Sequence, residues 1–187
     1  MNLHNQVALI TGASRGIGRA ILDALAQAGA TVIGTATSDS GAEAISHYIA
    51  EKGYQGSGKK LLVNDNDAIE ALIKDIAAEF APVAILVNNA GITHDNLLMR
   101  MKPEEWDKVI DTNLSSVYRL SKAVLRDMMK VRCGRIINIT SVVGIMGNAG
   151  QTNYAATKAG LIGFSKSLAR EAGKRVVVEE FLDGYEL

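Results

Sequence analysis

The sequence predicts an α/β fold, a doubly wound parallel sheet with helices on both faces, and three observations carry that prediction. Short apolar runs alternate with longer helix-periodic stretches through the 187 residues. The first run, Val7-Ala8-Leu9-Ile10, is continuous, as a strand covered on both faces requires. A glycine-rich turn follows it and opens directly into an amphipathic helix. Strand–helix–strand units cross over right-handed and build one parallel sheet, with ligands beyond the carboxyl ends of its strands. The expected architecture is therefore Rossmann-like.

Each element has its own local reason. Ile17, Ala20, Ile21, Ala24, Leu25 and Ala28 recur at helical spacing, and Gly29 stops that helix. Residues 31–35 predict a second strand and residues 42–51 a second helix. The triplet Leu61-Leu62-Val63 predicts a weaker third strand, before a helix over about residues 68–80 that Asp65 caps or precedes. Residues 83–87 predict a fourth strand. Pro103 opens a short helix with Glu104 and Glu105 in its first turn, where the helix dipole favours acids. A separate long helix is expected over about residues 114–129, a fifth strand over 135–140 and a last helix over about 153–172. A short sixth strand at residues 175–178 then gives way to an acidic tail. No repeat or linker interrupts the chain, so residues 1–187 are expected to form a single dinucleotide-binding and catalytic domain with an atypical tail over 173–187.

Composition narrows the function. Hydrophobic residues make up 48% and charged residues 21%, an ordinary globular balance. Twenty basic and twenty acidic side chains cancel, so neither nucleic acid nor an anionic membrane is an expected partner. The single cysteine, Cys133, makes no intrachain disulfide, and no catalytic role follows from its neighbours. A soluble, cytoplasmic protein is expected, since the first apolar run is too short for a leader and none reaches membrane-spanning length. His4, His47 and His94 lack metal-ligand spacing, and no metal is expected. Trp106 and Met99, Met101, Met128 and Met129 are expected to serve packing or interfaces.

The turn after the first strand reads Thr11-Gly12-Ala13-Ser14-Arg15-Gly16-Ile17-Gly18. Its G-x-x-x-G-x-G spacing suits a dinucleotide cradle: Gly12 for the turn, Gly16 for approach to a pyrophosphate, Gly18 for close helix packing. A tight structural turn is the plainer alternative, made less apt by the flanking strand and helix. The second strand ends Gly34-Thr35-Ala36-Thr37-Ser38, without an acid to bind a ribose 2′-hydroxyl. Arg15 is either solvated or pairs with a 2′-phosphate, and with the missing acid it favours NADPH over NADH.

Further on, "YAATK" places Tyr154 one helical turn ahead of Lys158. The spacing alone fits a solvated helix face, with Tyr154 a packed aromatic. Likewise Ser141 fits a turn residue and Asn113 an N-cap.

Taken together, TGASRGIG, NNAG (residues 88–91), Asn113, Ser141, Tyr154 and Lys158 resemble the short-chain dehydrogenase/reductase family, over residues 7 to about 172. "NNAGITHDNLLMRM", "TNLSSVYRLSKAV" and "GQTNYAATKAGLIGFSKSLARE" resemble the bacterial branch that reduces 3-oxoacyl chains on acyl carrier protein in fatty acid synthesis. The resemblance implies a tetrad of Asn113, Ser141, Tyr154 and Lys158, with Asn113 holding a water that feeds protons through Lys158. It implies NADPH/NADP+ contacts from Gly12, Ser14, Arg15, Gly16, Ile17, Gly18, Thr37, Val63, Asn89, Tyr154 and Lys158. Arg132 and Arg175 would dock the acidic carrier protein near the mouth of the site, or are ordinary solvated charges. A homo-oligomer, dimer or tetramer, is implied through the helices around residues 114–129 and 153–172.

The chemistry agrees with the implied roles. A ketone reduction needs a proton donor at the developing alkoxide, and a nearby lysine ammonium is expected to lower the pKa of Tyr154. Ser141 ends the fifth strand, where its hydroxyl can hydrogen-bond the carbonyl oxygen. The sequence departs from the family at Leu62, where an Asp or Asn usually meets the adenine, and at Ala84, where an acid is usual. It also departs after residue 173, where the family's substrate loop and last strand are expected to be lacking. Reduction of acetoacetyl-CoA or another small ketone would use the same residues. The alternative class is a dinucleotide-binding, oligomerising module without turnover.

Overall fold

The computed structural model describes residues 2–183. Six parallel strands form one sheet in the order β3-β2-β1-β4-β5-β6. They are β1 (Val7–Ile10), β2 (Thr31–Ala36), β3 (Gly56–Lys60), β4 (Val83–Asn88), β5 (Arg135–Ser141) and β6 (Val177–Asp183). The order reverses between β1 and β4, and a crevice opens beyond their carboxyl ends. The expected Rossmann-like α/β fold is present.

Helices α1 (Gly16–Gln27), α2 (Asp39–Glu51) and α3 (Asn66–Glu79) return the chain between the first four strands. Both faces of the sheet are covered, which is why β1 reads as a continuous apolar run. Leu9, Ile33 and Leu86 pack on one face with Ile69, Ile76, Leu120, Val124 and Met128. Ala8, Ile10, Val32 and Val87 pack on the other with Leu22, Ile45 and Ile49. Local signals explain the helix starts: Asp65 accepts a hydrogen bond from Ala68 N (3.0 Å), and Ser38 accepts one from Gly41 N (3.1 Å). The Ser38 cap starts α2 three residues earlier than its apolar periodicity indicates.

Three expectations are corrected. The third strand is not Leu61-Leu62-Val63 but Gly56-Ser57-Gly58-Lys59-Lys60, paired in parallel with β2. Leu61 and Val63 are buried, yet they lie in the turn beyond the strand. Glycine is required in β3 because α2 lies directly on it: a Cβ on Gly58 would sit 2.0 Å from Ala42 O. Ser46 of α2 completes the contact, accepting from Gly58 N at 2.8 Å.

The short helix expected from Pro103 and the long one expected over about 114–129 are one continuous helical run. It comprises α4 (Pro103–Ile110), a wider turn Asp111–Ser115, and α5 (Ser116–Val131). In that turn Ser116 N–H reaches back to Asp111 O, an i→i−5 bond. Asn113 therefore lies inside a helix and is not an N-cap.

The segment expected to be an acidic tail continues the sheet. After α6 (Val143–Met146), α7 (Thr152–Ala172) and a short turn Gly173–Arg175, β6 runs to Asp183 and pairs with β5 along its whole length. Its burial alternates, so Glu179 faces outward without opposing the strand. Residues 184–187 of the expected tail lie outside the described residues.

Candidate active site

The glycine loop after β1 is held from both sides. Thr11 Oγ1 accepts from Asn89 N (3.0 Å) and Ala90 N (2.9 Å), and Asn89 Nδ2 donates to Thr11 O (2.9 Å) and Gly12 O (3.1 Å). Gly12 (φ 67°) and Gly16 (φ 57°) take the left-handed conformation that glycine accepts without strain. A Cβ on Gly18 would lie 2.3 Å from Gly12 O and 2.5 Å from Asn89 Nδ2, so α1 can start only with glycine there.

Arg19 braces the same loop, its guanidinium donating to Ala13 O (3.2 Å) and Ser14 O (2.8 Å) while lying 3.9 Å over the Tyr48 ring. Neither Thr11 nor Arg19 was singled out from sequence. Their role depends on carbonyls that only the folded loop brings within reach.

Beside this loop is a cavity of about 550 Å³ lined by Gly12, Ser14, Arg15, Gly16, Ile17, Gly18, Thr37, Val63 and Asn89. Every residue expected to hold the cofactor, Tyr154 and Lys158 apart, is thus on one wall or another. Among the described lining residues there is no carboxylate, and Arg15 is the cation. Asp39, the first acid after β2, instead pairs with Lys60 at 2.7 Å, and that ammonium holds its carboxyl below the usual range. The cradle fits a dinucleotide: a loop with room at Gly16, a helix amino end, and a single guanidinium.

A second cavity, about 260 Å³, adjoins the first through Ile17, Asn89, Gly91 and Ile92, and is lined further by Ile139, Thr140, Tyr154, Lys158 and Asp183. Tyr154 is half-buried, whereas Lys158 is only 5% exposed. Lys158 Nζ donates to Ile139 O at 2.7 Å and sits 5.5 Å from the centre of the Tyr154 ring. Ser141, buried at the end of β5, accepts from Val143 N at 3.3 Å. Asn113 bridges both backbone groups of Ile92, accepting from its N and donating to its O at 2.8 Å each. Its amide thus clips the loop after β4 to the helical run.

The protonation balance differs from expectation. The Tyr154 phenol is pushed up, not down: burial dominates, the Ser141 hydroxyl acts the other way, and the carboxylates of Asp183 and Asp95 add to the rise. The Lys158 ammonium points at a backbone carbonyl and does not offset the burial. Burial brings Lys158 itself down to about 8, with Asp183 acting to raise it.

Several positioning residues carried no sequence signal. Asn153, fully buried, donates to His94 O (3.0 Å) and accepts from Tyr154 N (2.8 Å), fixing the first turn of α7. Asn88, Asn138 and Ser165 form a buried polar string from β4 through β5 to α7, with links of 2.8 Å. Asparagines in apolar strands were the available clue, since buried amides need partners.

Arg132 and Arg175 do come together, around a cavity of about 300 Å³ with Arg135 and Lys174. They are not near the mouth. Arg135 begins β5 and Ser141 ends it, so the length of the strand, about 20 Å at ~3.3 Å per residue, separates them from the tetrad of the same chain. Met128 is buried as expected, but Met99 is 94% exposed. No group of residues able to hold a metal ion occurs among the described residues. No helix there is long and apolar enough to cross a membrane.

A phosphate cradle at the β1–β4 crevice, adjoining a cavity with Tyr154 and Lys158 one helical turn apart, is the arrangement of a dinucleotide-dependent oxidoreductase. The short chain dehydrogenase family model matches residues 6–185, and the chain belongs to that family. Within it, the chain is similar to the 3-oxoacyl-[acyl-carrier-protein] reductases FabG of Escherichia coli strain K12 (66% identical over 175 residues), Vibrio harveyi (64% over 177) and Pseudomonas aeruginosa (59% over 177). The matches cover 94%, 95% and 95% of this chain and 70%, 71% and 72% of those relatives.

Proposed function

We propose that the chain reduces 3-oxoacyl groups on acyl carrier protein to 3-hydroxyacyl groups, using NADPH, as part of fatty acid synthesis in the cytoplasm. The observation that carries this reading is the continuity of the two cavities. The glycine cradle leads through Ile17, Asn89, Gly91 and Ile92 to Tyr154 and Lys158. The identity with three reductases of that name supports the substrate class.

Gly12, Gly16, Gly18, Arg15 and Asn89 would hold a nicotinamide dinucleotide, which would supply the hydride for the carbonyl carbon. The Ser141 hydroxyl donates a hydrogen bond to the carbonyl oxygen, and the Tyr154 O–H gives its proton to that oxygen as negative charge develops. The carbonyl π bond is replaced by one C–H and one O–H bond, and a phenolate remains on Tyr154. Its raised pKa keeps the phenol protonated before reaction, which suits a proton donor. The Lys158 cation, 5.5 Å from the ring, stabilises the phenolate afterwards. Asn113 orders the Ile92 loop at the floor of the site and is the residue through which a water would resupply protons to Lys158.

Exposed apolar side chains favour an acyl substrate. Leu97, Leu98 and Met99 lie in one loop and Ile145 and Met146 end α6, and the two segments meet where Asn96 N bonds Gly150 O. Tyr118, Leu125, Phe164 and Leu168 line a groove between α5 and α7, through which a homo-oligomer would form.

The test is NADPH oxidation with acetoacetyl-acyl carrier protein and, in parallel, acetoacetyl-CoA. Turnover is expected on the carrier-bound substrate, and Tyr154→Phe should reduce it by about 10²–10⁴-fold. A folded chain that binds NADPH but oxidises it with neither substrate would overturn the reductase reading.

A further inference from the structure

The catalytic cavity contains a carboxylate that the proposed reaction does not use. Asp183 is the last residue of β6 and stands in register with Ser141 of β5. Two hydrogen bonds pin this end of the strand: Val142 N donates to Asp183 O at 3.0 Å, and Thr140 Oγ1 donates to Phe181 O at 3.0 Å. Asp183 is thereby held at the carboxyl edge of the sheet, and it lines the same cavity as Tyr154 and Lys158. Among the described lining residues those two and Asp183 are the ionisable ones.

Lys158 needs a countercharge. Its side chain is nearly fully buried, and Ile139 O is its one hydrogen-bond acceptor among the described residues, although an ammonium has three N–H donors. A buried ammonium with one neutral acceptor is unstable against losing its proton. The elements packed around it offer few charges. β5 presents the Ile139 carbonyl and the Ser141 hydroxyl, and the Val143–Met146 turn has no titratable side chain. The loop after β4 carries Asp95, bound by Gln151 at 3.0 and 3.1 Å, and His94, 3.7 Å from Glu105. Asp95 acts on Tyr154, and Asp183 acts on both Tyr154 and Lys158.

We infer that Asp183 is a positioning residue of this site: its carboxylate is the counter-ion of Lys158 and keeps the transferable protons on Lys158 and Tyr154. This rests on the reading of Tyr154 and Lys158 as the working pair. A carboxylate on β6 holds the site in its proton-loaded form, the form from which a carbonyl oxygen can be protonated.

The test is an NMR pH titration of the Lys158 Cε resonance in lysine-labelled full-length chain, assigned with Lys158→Arg, for the parent, Asp183→Asn and Asp183→Glu. The parent midpoint is expected at about 8. Asp183→Asn should lower it by about 0.5 to 1 pH unit, and Asp183→Glu should restore most of the difference. The alkaline limb of the NADPH-oxidation profile should move by the same amount. An unchanged midpoint in folded Asp183→Asn overturns the inference. So does unfolding of Asp183→Asn, Asp183→Glu and Asp183→Ser alike, since the residue would then be structural. A shifted midpoint in a chain without turnover upholds the counter-ion and defeats the reductase reading, so the two failures are distinct.

Discussion

Two glycine-bearing stretches lie on either side of β2, and they use the missing side chain for opposite ends. In residues 12–18 the backbone turns with positive φ at Gly12 and Gly16, and a Cβ on Gly16 would meet nothing within 4 Å. In residues 56–58 the glycines are surrounded by the chain itself, with Val32 O 1.8 Å from a Cβ on Gly56 and Ala42 O 2.0 Å from one on Gly58. At Gly16 the first stretch leaves room for something the chain does not supply. The second lets a neighbouring strand and a helix lie close against β3. Glycine in both cases signals a close approach of backbone, and what approaches decides whether the stretch is functional or structural.

The sharpest way to break this comparison is alanine at the packed glycines. Gly56→Ala should lose more than about 3 kcal/mol of stability, because its Cβ meets a backbone carbonyl that cannot rotate away and its φ of 137° is closed to other residues. Gly58→Ala should follow closely, by prying α2 off β3. Urea unfolding followed by circular dichroism measures both. A loss below about 1 kcal/mol at Gly58 would mean that α2 shifts freely, and one at Gly56 that β3 can draw back from Val32 of β2, so that β3 does not need its glycines.

Gly16→Ala tests the other half. Its cost should be limited to the left-handed backbone, about 1–2 kcal/mol, since no atom opposes the new methyl. NADPH affinity, read by fluorescence titration, should nevertheless fall about tenfold or more, because the methyl stands where a phosphate would approach the loop. Equal stability losses at Gly16 and Gly58 would erase the distinction.

This difference also explains what could be read from sequence. The cradle was legible because it is local: strand, turn and helix are contiguous, and their glycines fall at fixed offsets. β3 was not, because the need for its glycines comes from β2 at Gly56 and α2 at Gly58, both distant in sequence, and the nearby Leu61 and Val63 are buried without being in a strand. The same division runs through the active site. Tyr154 and Lys158 are one helical turn apart and were legible as a pair, and Ser141 was legible at the end of an apolar strand. The position of Asn113 inside a helical run was not, because a wider turn leaves no mark in residue periodicity. The fall of Lys158 to about 8 was equally hidden, since it comes from burial under β5, with a carboxylate from β6 acting against it. Residues 179–183 of that strand were taken for a tail because Glu179 and Glu180 interrupt its apolar character. Arg132 and Arg175 show the opposite error, where sequence likeness suggested a place near the mouth and the topology puts them at the other end of β5.

The smallest predicted effect concerns Arg19, which joins the two regions. Its guanidinium holds the Ala13 and Ser14 carbonyls of the cradle and lies on the ring of Tyr48, a residue of the helix that covers β3. Tyr48 in turn donates its hydroxyl to Asp23 at 2.9 Å, so α1, α2 and the loop share one polar contact. Arg19→Ala should cost about 1–2 kcal/mol, the sum of two partly exposed hydrogen bonds and a surface cation–π contact. NADPH affinity should weaken about threefold as the loop loses its brace, less than for Gly16→Ala because no group then blocks the phosphate. Arg19→Lys should recover part of the contact with Tyr48 but not the forked hold on two carbonyls, so stability should return further than affinity. If affinity falls while stability does not, Arg19 belongs to the cradle alone. If stability falls without affinity, the loop is set by Thr11 and Asn89, and the two glycine regions are mechanically independent.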